Sequence, residues 1–158
     1  MATRASIYRH PIHPMLIVFP IGLWIFAFIC YAVYLGTAGL SWRVASLYAM
    51  VGGIIGAVLA AVPGLIDLLT LRKSRAWTIG VTHMISNVTA LILFIIAFAM
   101  GWTADGPSVA TLVLSIVGLI AIGIGGWLGG ALVYVHGVGV EPRQRQEAQE
   151  PQEAAFRR

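Results

Sequence analysis

The chain has 158 residues, of which 59% are hydrophobic and 10% charged. A water-soluble domain carries roughly a quarter charged residues, so a protein bathed on all sides by water is excluded. The formal net charge of +4 sits outside the apolar runs and needs no nucleic acid to explain it.

Charge is absent between Arg9 and Arg43, from Val44 to Ile66, from Ala76 to Ala104 and from Gly106 to Val140. Each stretch exceeds or matches the roughly 20 residues that span a bilayer core. The spacing predicts helices over 14–37, 44–70, 79–101 and 108–137. The first apolar run continues from Met15 to about Leu40, longer than the about 7–15 residues of a signal peptide, so it reads as a retained helix. Pro14 suits a helix start, and Pro20 and Pro63 read as kinks. Cys30 lies inside the first run, where it is a small packing residue.

The connections "GTAGLSWR", "RKSRAWT" and "GWTADGPS" are short, and Ser108 is the expected N-cap of the fourth helix. Short loops make consecutive helices antiparallel neighbours. The expected fold is therefore all-α, a polytopic four-helix up-down-up-down bundle over residues 1–140. The tail 141–158 is rich in Gln and Glu, too polar to bury a core, and is expected to be disordered.

Orientation follows from lysine and arginine placement. Arg4, Arg9, Arg72, Lys73, Arg75, Arg143, Arg145, Arg157 and Arg158 share one side, and Arg43 stands alone on the other. Both termini are expected in the cytoplasm, with Trp42, Tyr48 and Trp102 at the outer interface and Tyr8 and Trp77 at the inner one.

Every histidine, and the only intramembrane carboxylate, then falls on one side. His13 opens helix one, Asp67 closes helix two, His83 opens helix three and His136 closes helix four. At a rise of about 1.5 Å per residue they lie roughly 6–12 Å inside the nearest charges, as one layer with a member from each helix. His10, nearer water, reads as interfacial. Stepping back from His136 reaches Gly129, Gly125 and Gly118; stepping back from Asp67 reaches Ala60, Gly56 and Gly53. Such small-residue stripes mark close helix approach. Each feature alone has a plainer reading: glycines for packing, a histidine as cap or interfacial anchor, Asp67 paired with Arg72 or Lys73. The conjunction from four helices points to a shared site, because buried ionisable groups face a bundle interior or cavity.

Two imidazoles on diagonal helices suit b-type haem. His13 and His83 are the expected axial pair, His83 with His136 the second choice, and Arg72, Lys73 or Arg75 would meet the propionates. Asp67 and Asn87, the latter one turn from His83, are expected to orient the ligands. The alternative is a non-haem transition metal held by His13, Asp67, His83 and His136. A third reading is a cofactor-free accessory or structural subunit of a larger membrane complex, with a homo-oligomer also open. No charge lies near the midplane, where transporter sites sit, and soluble-enzyme motifs are absent. Electron transfer or an accessory role is expected rather than an enzyme.

The segments "HPMLIVFPIGL" (13–23), "AAVPGLIDLL" (60–69), "THMISN" (82–87) and "GGWLGGALVYVHGVGV" (125–140) resemble the bacterial membrane family called domain of unknown function 2231. The resemblance covers about residues 10–140 and implicates His13, Pro14, Pro20, Gly64, Asp67, His83, Gly129, Gly130, His136 and Gly137. It implies four helices in the bacterial inner membrane and no assigned activity. Relatives fused to Rieske-type or cytochrome modules hint at electron transfer. A single cysteine cannot hold an iron–sulfur cluster, so any redox partner is expected to be a separate protein. Finally, His83→Ala is expected to remove cofactor with the fold intact, and Arg43→Ala is not.

Overall fold

The computed structural model describes residues 5–8 and 10–140; the expected tail after 140 lies outside them. Ser6–Ile7 (β1) and His10–Pro11 (β2) pair antiparallel, Ser6 opposite Pro11 and Ile7 opposite His10. A short helix α1 (Ile12–Leu16) runs into α2 (Val18–Thr37), followed by α3 (Leu40–Thr70), α4 (Arg75–Thr103) and α5 (Val109–Tyr134). Counting α1 and α2 as one span, four helices are long and apolar enough to cross a membrane.

The boundaries have local causes. Pro20 has no N–H to give to Leu16, the carbonyl four residues back, and it is there that α1 gives way to α2. Ala38, in the left-handed region at φ 53°, ends α2. Ser74 and Ser108 cap α4 and α5 by accepting from Trp77 N–H and Thr111 N–H, both at 3.4 Å. Arg43 closes the far end of α4, its guanidinium donating to the carbonyls of Gly101, Trp102 and Ala104 at 2.8–3.2 Å. These are the acceptors a helix C-terminus leaves unpaired.

The helix expected over 108–137 ends at Tyr134 instead. Gly137 takes φ 62°, Val138 N–H doubles back to Leu132 O at 2.9 Å, and a left-handed glycine of this kind stops a helix. His136 therefore lies in a turn. The starts expected at 44 and 79 lie earlier, at Leu40 and Arg75, because helix continues through the interfacial residues that hydropathy assigns to loops.

Consecutive long helices run antiparallel, as their contacts show. Along α2 and α3, Ser46 Oγ donates to Ala27 O at 2.8 Å, Gly53 lies under Trp24, and Gly56 meets Phe19 and Pro20. Along α4 and α5, Gly101 meets Thr111, Gly118 lies under Phe94, and Ser86 Oγ donates to Ala121 O at 2.7 Å. A Cβ at Gly53 or Gly118 would strike the ring above it. The small residues thus let each helix pair close until its aromatic ring is forced inward, toward the diagonal helix.

Trp24, Ala27, Tyr31, Met50, Phe94 and Ala97 fill the core at 0–1% exposure. Phe19, Ile25, Phe26, Ile55, Val58, Ile92 and Ile116 point outward, all large and apolar and all exposed. An outer surface of this kind is suited to hydrocarbon, not water.

Candidate functional site

At the end of the bundle where α1 and α4 begin, two imidazoles meet across the diagonal. The rings of His13 and His83 have centroids 5.9 Å apart and stand edge to face at 82°. His13 Nδ1 lies 2.7 Å from Ala60 O on α3, and His83 Nδ1 lies 2.7 Å from Gly125 O on α5. A carbonyl only accepts, so each Nδ1 carries its hydrogen. In a neutral imidazole the lone pair is then at Nε2. Both histidines are set in the same tautomer, the one in which Nε2 is a metal-ligating or proton-accepting atom.

Glycines make these bonds reachable. A Cβ at Gly64 would come within 2.8 Å of His13 Nδ1, and one at Gly129 within 3.0 Å of His83 Cε1. Each imidazole lies in the slot that its glycine leaves open. Asn87 completes the His83 side. Its Nδ2 donates to His83 O at 2.8 Å and lies 3.3 and 3.2 Å from Nδ1 and Nε2 of the ring. Near-equal distances to both nitrogens put the amide over the ring face, since an in-plane donor so placed would collide with Cε1. Asn87 therefore clamps the ring without taking the Nε2 lone pair. Among the described residues, His13 Nε2 has no hydrogen-bond partner.

The other expected members of the layer have partners of their own. Asp67 is half-buried, and its Oδ1 accepts from Ala5 N–H at 3.1 Å. That bond docks the β1–β2 hairpin on α3, with Ala5 O accepting from Ile12 N–H at 3.0 Å. His136 occupies the turn after α5, and its backbone N–H bonds Ala131 O at 3.2 Å. His10 Nδ1 lies 2.9 Å from Tyr8 O on the exposed hairpin. Among the described residues, no three histidine, cysteine, aspartate or glutamate side chains converge as a metal-ligand group. What converges is the histidine pair.

The small-residue stripes do face neighbours. Gly118, Gly125 and Gly129 meet Phe94, Asn87 and His83, while Gly53, Gly56 and Gly64 meet Trp24, Pro20 and His13. Sequence reasoning missed the two carbonyls, Ala60 O and Gly125 O. Each lies one turn before the glycine under its histidine, and that shared spacing was the available signal.

The donor chemistry fits a metal with two imidazole ligands. The two rings that supply these nitrogens have centroids 5.9 Å apart. The profile of one protein family, described as "Predicted membrane protein (DUF2231)", matches residues 9–142, and the chain belongs to that family. No curated protein and no solved structure matches it.

Proposed function

We propose that this member of the DUF2231 family holds a redox cofactor, b-type haem first, between His13 and His83, and serves electron transfer within a membrane. One observation carries the reading: both Nδ1 atoms are held by backbone carbonyls of a neighbouring helix. Both Nε2 lone pairs are thereby reserved, at the end of the bundle where Arg72, Lys73 and Arg75 are exposed. Histidine ligands of metals characteristically donate their second nitrogen in this way. Haem iron bound there would supply one-electron chemistry. The chain's own part is to hold each imidazole in one tautomer and keep water away with its apolar shell. The exposed basic loop would meet the propionates.

In this reading the chain crosses a bacterial inner membrane four times, up-down-up-down, with both termini and the histidine pair on the cytoplasmic side. The nine-to-one bias of Lys and Arg supports that orientation. A separate redox protein would be the electron partner. A non-haem metal is the weaker form of the proposal, because Asp67 and His136 supply no third ligand.

A second reading, a cofactor-free subunit packed in a larger membrane complex, is favoured by one face of α5. At Gly123, Gly126 and Gly130 an added Cβ would meet nothing, and Trp127 beside them is exposed. The visible spectrum of detergent-purified protein, before and after dithionite, separates the readings. A Soret band with sharpened reduced bands is expected. A featureless spectrum that gains only the broad absorption of free hemin after incubation with hemin overturns the haem assignment.

A further inference from the structure

The two long hairpins share one pattern of residues and contacts. An advance of 70 residues carries His13 to His83, Pro20 to Ala90, Trp24 to Phe94 and Ala27 to Ala97. The strings "LWIFAF" (23–28) and "LFIIAF" (93–98) agree at four of six positions. An advance of 65 carries Ser46 to Thr111, Gly53 to Gly118, Ala60 to Gly125 and Gly64 to Gly129. The order of exposed, half-buried and buried residues is the same over 15–27 as over 85–97, and the same over 53–62 as over 118–127.

The contacts repeat with the residues. Trp24 lies over Gly53 as Phe94 lies over Gly118, and His13 over Gly64 as His83 over Gly129. The two Nδ1–carbonyl distances are both 2.7 Å. The paired rings then meet between the hairpins: Trp24 stacks on Phe94, and His13 meets His83. Helices starting on one side and repeating in parallel imply a pseudo-two-fold axis along the membrane normal, a relation known in membrane proteins built from parallel repeats. Asp67 and His136 stand outside the repeat, since the corresponding positions are Leu132 and Leu71.

We infer that the histidine centre consists of two equivalent half-sites, His13 with Ala60 O and Gly64, and His83 with Gly125 O and Gly129. Together they bind one transition-metal centre per chain, bare or carried in a planar macrocycle. This rests on the proposed haem reading only for the identity of the occupant. Helix packing alone accounts for a repeated glycine. It does not require an imidazole above each glycine with the same nitrogen held by the same carbonyl, in two hairpins whose surroundings differ (Ile17 against Asn87, Pro63 against Leu128).

The test titrates the full chain in detergent with hemin and, separately, with Cu(II) and Zn(II). It includes His13→Ala, His83→Ala and the double variant, with His→Gln forms and thermal melts to verify folding. Expected is one equivalent per chain, weakened similarly by either single substitution and by more than the about tenfold that losing a ligand's outer-shell partner costs. Metal-ion binding through both histidines without hemin binding would remove haem and leave the half-sites standing. Hemin binding that needs one histidine alone would leave haem and overturn the half-sites. Two equivalents per chain, or no binding of any probe, would overturn them as well.

Discussion

The indole of Trp24 lies flat on the ring of Phe94, with centroids 4.3 Å apart and planes 6° from parallel. Neither ring is exposed beyond 1%, and the two belong to diagonal helices. Trp24 Nε1 still finds a partner, donating to Met50 O at 3.3 Å. This stack joins the two hairpins at the centre of the bundle and separates the histidine end from the Arg43 end.

Phe94→Ala is expected to cost about 3–5 kcal/mol, the range for truncating a buried aromatic ring. Gly53→Ala should also destabilise, since its methyl would meet the indole, whereas Gly22→Ala has nothing within 4 Å and should be neutral or slightly stabilising. Thermal unfolding in one detergent ranks all three. A Gly53→Ala protein as stable as Gly22→Ala would show that the stack is not tightly packed.

Arg43→Ala should leave the carbonyls of Gly101, Trp102 and Ala104 without their donor. The expected loss is about 1–3 kcal/mol, the cost of unsatisfied polar groups, with no change at the distant histidine pair. Arg43→Lys should restore only part of this, because one ammonium lacks the planar fork that spans several acceptors. Hydrogen exchange at the end of α4 reads the loss locally; unchanged protection in Arg43→Ala would refute the capping role.

Gly64→Ala and Gly129→Ala should each push an imidazole out of its slot. Cofactor or metal affinity is expected to fall by about tenfold to a hundredfold, as when groups that orient a ligand are lost. Gly126→Ala, on the open face of α5, serves as the control and should bind like the parent. Equal affinity in all three proteins would show that the glycine slots do not position the rings.

Asp67→Ala should release Ala5 N–H and undock the β1–β2 hairpin, while Asp67→Asn keeps an acceptor oxygen and should hold it. Limited proteolysis near residues 5–12 is the measure, with faster cleavage expected in Asp67→Ala alone. Cofactor content should be the same in both variants, since Asp67 bonds the hairpin rather than an imidazole. A parallel loss of cofactor would return Asp67 to the ligand set.

By itself the sequence determined the number and length of the apolar spans, because desolvating charge is costly at any register. It also determined the end of the bundle that carries the histidines. Depth along a helix follows from residue count alone, so His13 and His83 could be paired on the diagonal before any contact was known. Tertiary structure decided which of four ionisable groups actually meet. Azimuth depends on how side chains interlock, and here Trp24 over Gly53 and Phe94 over Gly118 turn both histidines inward. His136 lies in a turn beyond α5 because Gly137 takes a left-handed φ and ends the helix early. Asp67 is engaged by the folded N-terminal hairpin, which brings the Ala5 N–H to its carboxylate. The repeat of one hairpin in the other was written in the sequence all along, yet substitutions such as Trp24 for Phe94 and Ala60 for Gly125 hid it. It became legible once each residue was matched to the glycine or carbonyl it packs against.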